Sequence, residues 1–207
     1  MAEPRRRRAA TEEKLARLLD ATEEIILEEG YAAVSSRNVA ARAGIQAPLL
    51  HYYFPTIDEL FVAVLRRRSE PNVERMQAAL DSPEPFQAWW ELASDPRGTA
   101  LLLEFVAAAN HRPALKAEVG KAAYEVRRMQ MKTLSAILPE YGLDPKDFPP
   151  AFIAAAMQGI AFAIVADEAA GFDTKHGQAR EAMDRLVEQL EQRRTKRRAP
   201  KRRSDRA

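Results

Sequence analysis

Apolar positions recur at helical spacing along most of the chain, and beyond Ser69 no stretch alternates as a strand would. Leu15, Leu18, Leu19, Thr22, Ile25 and Ile26 make the inward stripe of a first helix, with Thr11 as its cap and Gly30 at its end. Val39, Ala40 and Ala43 repeat the pattern in a short second helix. Ser35 stands where a hydroxyl accepts from the free N–H groups of that helix's first turn. Gly44 stands where the helix must stop, in the left-handed conformation that glycine adopts without strain, and Ile45 anchors the turn. Pro48 suits the first turn of a third helix, which ends near Phe54 and Pro55. Thr56, Ile57, Asp58 and Glu59 read as a capping box. The helix it opens runs through Leu60, Phe61, Val64 and Leu65 to Arg66, Arg67 and Arg68, a basic C-terminal end on a solvated face.

The pattern stays helical afterwards. Val73, Met76 and Leu80 mark a short helix, and Pro83 and Pro85 break it. Ser82 with Pro83 can start the next, filled by Phe86, Trp89, Trp90 and Leu92. Asp95 and Pro96 open a helix through Leu101, Leu102, Phe105, Val106 and Ala109. A long helix over 114–138 turns Leu115, Val119, Val126, Met129 and Leu134 inward, and a loop over 139–150 holds a helical turn at Asp144 and Pro145. Residues 151–166 are apolar on every side apart from Gln158, so a helix there is to be buried all round. One side packs on its own domain. The other, with Ala154, Ala155, Gly159 and Ala163, admits a close partner helix. The last helix, about 177–194, carries Met183, Leu186, Val187 and Leu190 on one face.

Charge changes the picture more than composition does. The formal charge is +2, with 32 basic and 30 acidic residues. Setting aside Arg5, Arg6, Arg7 and Arg8 and the nine basic residues of 193–206 leaves 19 basic against 28 acidic residues over 9–192, a net −9. An acidic body thus carries two basic ends that can reach phosphates. Residues 1–10 are expected as a flexible arm, either reaching DNA through its arginines or merely solvated. Residues 195–207 are expected to be a disordered basic tail, with the same two readings open. There are no cysteines, which excludes disulfides and thiolate chemistry and fits a cytoplasmic location. No secretory signal and no apolar run of membrane-spanning length is read, so no membrane is expected.

No catalytic constellation appears. His51, His111 and His176 fall in different elements, and no nucleophile elbow, phosphate loop or dinucleotide fingerprint occurs. Neither an enzyme, a metal nor a cofactor is therefore expected. What remains is recognition. Two short helices joined by a glycine-containing turn have the helix-turn-helix layout, and the second bears Gln46, His51, Tyr52 and Tyr53 within one and a half turns.

Residues 18–65 resemble the TetR family of transcriptional regulators. The resemblance rests on Gly30-Tyr31, on Ser35 with Val39-Ala40 and Ala43-Gly44-Ile45, and on Leu50, Tyr53-Phe54-Pro55 and Asp58-Glu59-Leu60. It implies an all-α fold: an N-terminal three-helix helix-turn-helix DNA-binding domain, taken as 11–68, and a larger helical effector-binding and dimerisation domain, taken as 69–194. It carries DNA contacts onto Arg37, Gln46, Ala47, Pro48, Leu49, His51, Tyr52 and Tyr53. Arg37 and Gln46 suit bidentate hydrogen bonds, Ala47 and Leu49 suit a thymine methyl, and the tyrosines suit phosphate oxygens. Ile57 departs from the family, which usually places a phosphate-binding lysine there.

The resemblance also implies a homodimer through the last two helices, about 151–170 and 177–194, and a small-molecule effector. Trp89, Trp90, Phe105, Met129, Met157, Gln158 and Phe162 are the candidates for an apolar pocket. The reading is a ligand-responsive regulator, a repressor released from a palindromic double-stranded DNA operator by an apolar or amphipathic effector. The alternative is a dimeric helical adaptor without specific DNA binding.

Overall fold

A computed structural model describes the backbone of residues 3–171 and 175–198, and their side chains other than those of 3–8 and 176. The fold is all-α. Among the described residues the helices are α1 Glu3–Glu29, α2 Ser36–Ala43, α3 Ala47–Tyr53, α4 Ile57–Leu80, α5 Pro85–Ala93, α6 Pro96–Ala109, α7 Pro113–Ile137, α8 Pro150–Ala169 and α9 His176–Arg198. Short 3-10 turns occupy Tyr31–Ala33 and Leu138–Tyr141.

Packing divides the chain into two units, and the division is not contiguous. The first takes the described residues up to Asn72 together with Ala100–Ala123; the second takes Val73–Thr99 and the described residues from Tyr124 on. The stretch 100–123, grouped by sequence with the effector domain, thus packs with the helix-turn-helix. Leu101, Phe105, Ala108, Ala109 and Leu115 enter the same core as Leu18, Ile25, Val39, Leu50 and Phe61.

Three elements run further than their pattern implied. α1 begins at Glu3, so residues 3–10 are helical rather than a flexible arm, and Thr11 lies inside the helix rather than capping it. Pro4 suits a first turn, and arginine and alanine are strong helix formers with nothing among them to stop the chain. α4 does not end at Arg68 but continues through Pro71 to Leu80. A mid-helix proline costs about 3 kcal/mol. Buried Leu60, Phe61, Val64 and Leu65 before it and Met76 and Leu80 after it anchor both halves. α9 reaches Arg198, so 195–198 are helical; the remainder of the expected tail, 199–207, lies outside the described residues.

The second unit is built on Trp89, Trp90, Phe86, Leu134, Tyr141, Met157 and Val187, and it encloses a polar network. No side chain of its own turn caps α5. Instead Glu191, from α9, accepts from the Phe86 N–H at 2.8 Å and from the Gln87 N–H at 3.4 Å. The same carboxylate accepts from the Tyr141 hydroxyl at 2.9 and 3.0 Å. Beside it, buried Arg194 donates to Glu140 at 2.8 Å and to the Pro83 carbonyl at 2.6 Å.

α8 departs from the expectation of burial on all sides. Ala154, Met157, Ala161, Ile164 and Val165 are buried, while Phe152, Ala155, Gly159, Ala163 and Ala166 form an exposed stripe. With 20 residues and a mean hydropathy of 1.6 over its most apolar window, α8 is long and apolar enough to cross a membrane, which corrects the reading that no such segment exists. Its apolar run is 16 residues in sequence, and the helix gains length from Pro150 and from Asp167, Glu168 and Ala169.

Candidate nucleic-acid interface

The site is the α2–turn–α3 pair, and its local signals work as their chemistry requires. Ser35 Oγ accepts from the Asn38 N–H at 3.2 Å, capping α2. Gly44 ends α2 at φ 62° and ψ 37°, and the Ile45 N–H returns to the Ala40 carbonyl at 2.9 Å. A side chain at Gly44 would be strained by that φ and would meet Arg17 at 2.8 Å. α3 opens with Pro48 in its first turn and ends at Phe54. Thr56 Oγ1 accepts from the Glu59 N–H at 3.2 Å, capping α4.

Behind the pair, Val39, Ala40, Ala43 and Leu50 are buried against Leu18, Ile25, Ile26, Leu60 and Phe61. The opposite face is open. Arg37, Gln46, Pro48, His51 and Tyr52 are exposed, and Tyr52 keeps 78% of its surface free. Ala47, Leu49 and Tyr53 are half-buried. Tyr53 and Ala47 pack against the core, and Tyr53 meets the Tyr52 ring edge-on at 5.3 Å. The exposed part of the set drawn from the resemblance is thus Arg37, Gln46, Pro48, His51 and Tyr52. Arg5, Arg6, Arg7 and Arg8 lie on the helical start of α1, and their side chains fall outside the description.

Several positioning groups were not legible in the sequence. Arg17 donates to the Ala43 carbonyl at 2.5 Å and to the Gly44 carbonyl at 3.4 Å, putting a cation on the negative end of α2. Arg42 pairs with Glu28 at 2.8 Å and Glu29 at 2.9 Å, tying α2 to the end of α1. These acidic neighbours raise the Arg42 guanidinium above its ordinary value, with the Glu28 hydrogen bond foremost. Arg66, Arg67 and Arg68 pair inside the unit with Glu118, with Asp20 and Glu23, and with Glu23, so they are not a plain solvated end. Only the acidic run before Arg42 left a sequence signal.

The effector candidates are divided between the two units. Phe105 belongs to the core of the first unit, whereas Trp89, Trp90 and Met157 are buried in the second, with Met129 packed against them. Gln158 and Phe162 are half-buried on α8. Two open hollows of the second unit, about 640 and 250 Å³, are lined by polar residues such as Glu84, Gln87, Glu188 and Gln192, none of them a candidate. Trp90 Nε1 donates to Asp184 at 2.6 Å, but the buried Trp89 Nε1 has no acceptor. Among the described residues no group of three His, Asp or Glu side chains is placed to hold a metal.

A capped helix pair with one buried and one open polar face, in an all-helical chain, has the helix-turn-helix layout. Residues 18–64 match the family described as bacterial regulatory proteins, tetR family, and over this stretch the chain is similar to that family. The HTH-type transcriptional activator FasR of Mycolicibacterium smegmatis is 34% identical over 73 residues, 35% of this chain and 33% of the relative. The HTH-type transcriptional repressor KstR of the same species is 39% identical over 79 residues, 38% of this chain and 39% of the relative. The chain thus spans about a third to two fifths of these curated relatives. The likeness in fold is wider. A putative transcriptional regulator from Saccharomonospora viridis, solved with choline, superposes with a TM-score of 0.69 at 17% identity, over 84% of this chain and 95% of that one.

Proposed function

We propose that the chain is a ligand-responsive transcriptional regulator that reads double-stranded DNA with α3 and works as a homodimer in the cytoplasm. The observation that carries this reading is the exposure of Arg37, Gln46, His51 and Tyr52 on one face of a capped helix pair whose other face is core. Arginine and glutamine offer bidentate hydrogen bonds to base edges, and the tyrosine hydroxyl donates to phosphate. Two reading helices in a twofold dimer call for a palindromic operator with half-sites about one helical turn apart.

The dimer reading is supported by the exposed stripe of α8 and by Leu186 on α9, which leaves 48% of its surface open. Paired helices from each copy would bury both in a four-helix interface. The effector reading rests on Trp89. A buried indole N–H without a partner is costly, by about 1–3 kcal/mol. In the same unit, buried Gln130 donates to a weak acceptor, the Met76 sulfur, at 3.9 Å. An effector with an apolar body and a hydrogen-bond acceptor fits such a core better than a pure hydrocarbon. Repression follows the KstR likeness, while FasR is named an activator. Release is a population shift toward a conformer whose reading helices no longer match successive grooves.

Selection of duplexes from a random library by the full chain tests the reading. A palindromic consensus is the expected result. Recovery of no enriched sequence from a folded dimer would overturn DNA reading and leave the adaptor alternative standing.

A further inference from the structure

Both ends of the α2–α3 pair are held by side chains from far along the sequence. At the α1–α2 junction the Tyr31 N–H donates to Glu104 Oε2 at 2.8 Å, across 73 positions. Gly30 turns the chain there at φ 81°, and a Cβ on it would lie 3.6 Å from the same oxygen. At the other end Asp58, in the first turn of α4, accepts from Arg112. The Arg112 guanidinium also lies 4.7 Å over the ring of Phe61, which is fully buried. All six residues belong to the first unit.

Stability alone is a weak account of these contacts. The Arg112 and Asp58 side chains are 28% and 38% exposed, and such pairs contribute little to folding. Their placement is more informative than their strength. One fixes where the chain enters α2, the other where it leaves α3, and a reading helix must meet base edges within hydrogen-bond tolerance.

We propose that Glu104 and Arg112 are positioning residues for DNA reading, holding the entry and the exit of the α2–α3 pair at the orientation that fits a major groove. Neither touches DNA. The inference rests on the DNA-reading function above.

The test uses the duplex enriched by the wild-type chain and a scrambled duplex of equal length. Glu104→Ala is expected to weaken binding to the enriched duplex by about tenfold while changing scrambled-duplex binding by less than about twofold. Glu104→Gln keeps an acceptor oxygen and is expected to restore specific binding. Amide exchange at Tyr31 is expected to quicken in Glu104→Ala and to stay protected in Glu104→Gln. Asp58→Arg and Arg112→Asp are each expected to lose specific binding, and the double exchange to recover it. Equal losses on both duplexes, or unchanged binding in Glu104→Ala with a faster Tyr31 amide, would overturn the positioning role and leave DNA reading intact. Failure of the wild-type chain to enrich any duplex would overturn both.

Discussion

At the scale of single residues, Glu191 concentrates the chemistry of the second unit. Its buried carboxylate replaces the missing cap of α5 and also accepts from the Tyr141 hydroxyl. Removing it leaves two backbone donors and a phenol without their acceptor. Glu191→Ala is expected to lower the unfolding free energy by about 2–4 kcal/mol, since hydrogen bonds to charged groups are the stronger ones. Glu191→Gln, which keeps one acceptor oxygen, is expected to lose less. Urea titration of the three chains checks this, and a loss under about 0.5 kcal/mol for the alanine variant would sink it. The same cluster makes stability depend on pH at both ends. Burial first, then Glu191, pushes the Tyr141 phenol far above its ordinary range. Its contribution is therefore complete below about pH 10, where an unfolded tyrosine ionises, and is lost as pH rises further. The Arg194 hydrogen bond, aided by Arg198, holds Glu140 below the usual carboxylate range despite partial burial. Its contribution is present above about pH 4.5 and is lost as pH falls through the depressed value. Melting curves should therefore fall away at high pH in the wild-type chain and less steeply in Tyr141→Phe. Glu140→Gln should flatten the acid limb instead.

At the scale of elements, what was legible follows from the range of the interactions. Ser35, Gly44, Pro48 and Thr56 act on backbone groups within about one turn, so the helix pair could be read from neighbouring letters. Glu191 caps α5 across 105 positions and Glu104 holds Tyr31 across 73, and no local pattern encodes such pairs. The ends of α1 and α4 were misplaced for a related reason. One basic run suggests a flexible arm and another a helix's C-terminal end, whereas propensity and burial at either side carry both helices on. α8 shows the limit in another form: uniform apolarity does not say which face meets its own core. The open stripe gives a sharp test at Gly159, where an added Cβ would meet nothing within 4 Å in the single chain. Gly159→Leu should leave the folded chain as stable as before, or more so, because mid-helix glycine costs about 0.5–1 kcal/mol against alanine. If a second copy packs there, the same change should raise the dimer dissociation constant at least about tenfold. Light scattering across a dilution series reads it, with Gly120→Ala as the control: its Cβ is also uncrowded, and its site lies on another helix, α7. Equal association of both variants and the wild type would remove α8 from the interface.

For the whole molecule, the deciding quantity is charge distribution rather than net charge. Residues 9–192 carry a net −9, so on the proposed function α3 would meet DNA from a body that repels phosphate. Ile57 sharpens the difficulty, because the TetR resemblance leads one to expect a phosphate-binding lysine there. In the structure Ile57 is half-buried and packs against the first core, so the position serves packing instead of a charge contact. Some of the grip must then come from cations elsewhere. The longest unbroken run of cations before the helix pair is Arg5, Arg6, Arg7 and Arg8, on the helix that leads into it. Counterion release makes the two ideas separable. Each phosphate contact adds about 0.9 to the slope of log affinity against log salt on duplex DNA. Ile57→Lys should steepen that slope by about one contact, at some cost to packing. Deleting residues 1–8 should flatten it by several contacts while leaving the preferred sequence unchanged, because phosphate contacts position and base contacts specify. Titrations of the selected duplex at several salt concentrations decide between the sources. A slope unaltered by the deletion would exclude the arginines of α1 from the interface.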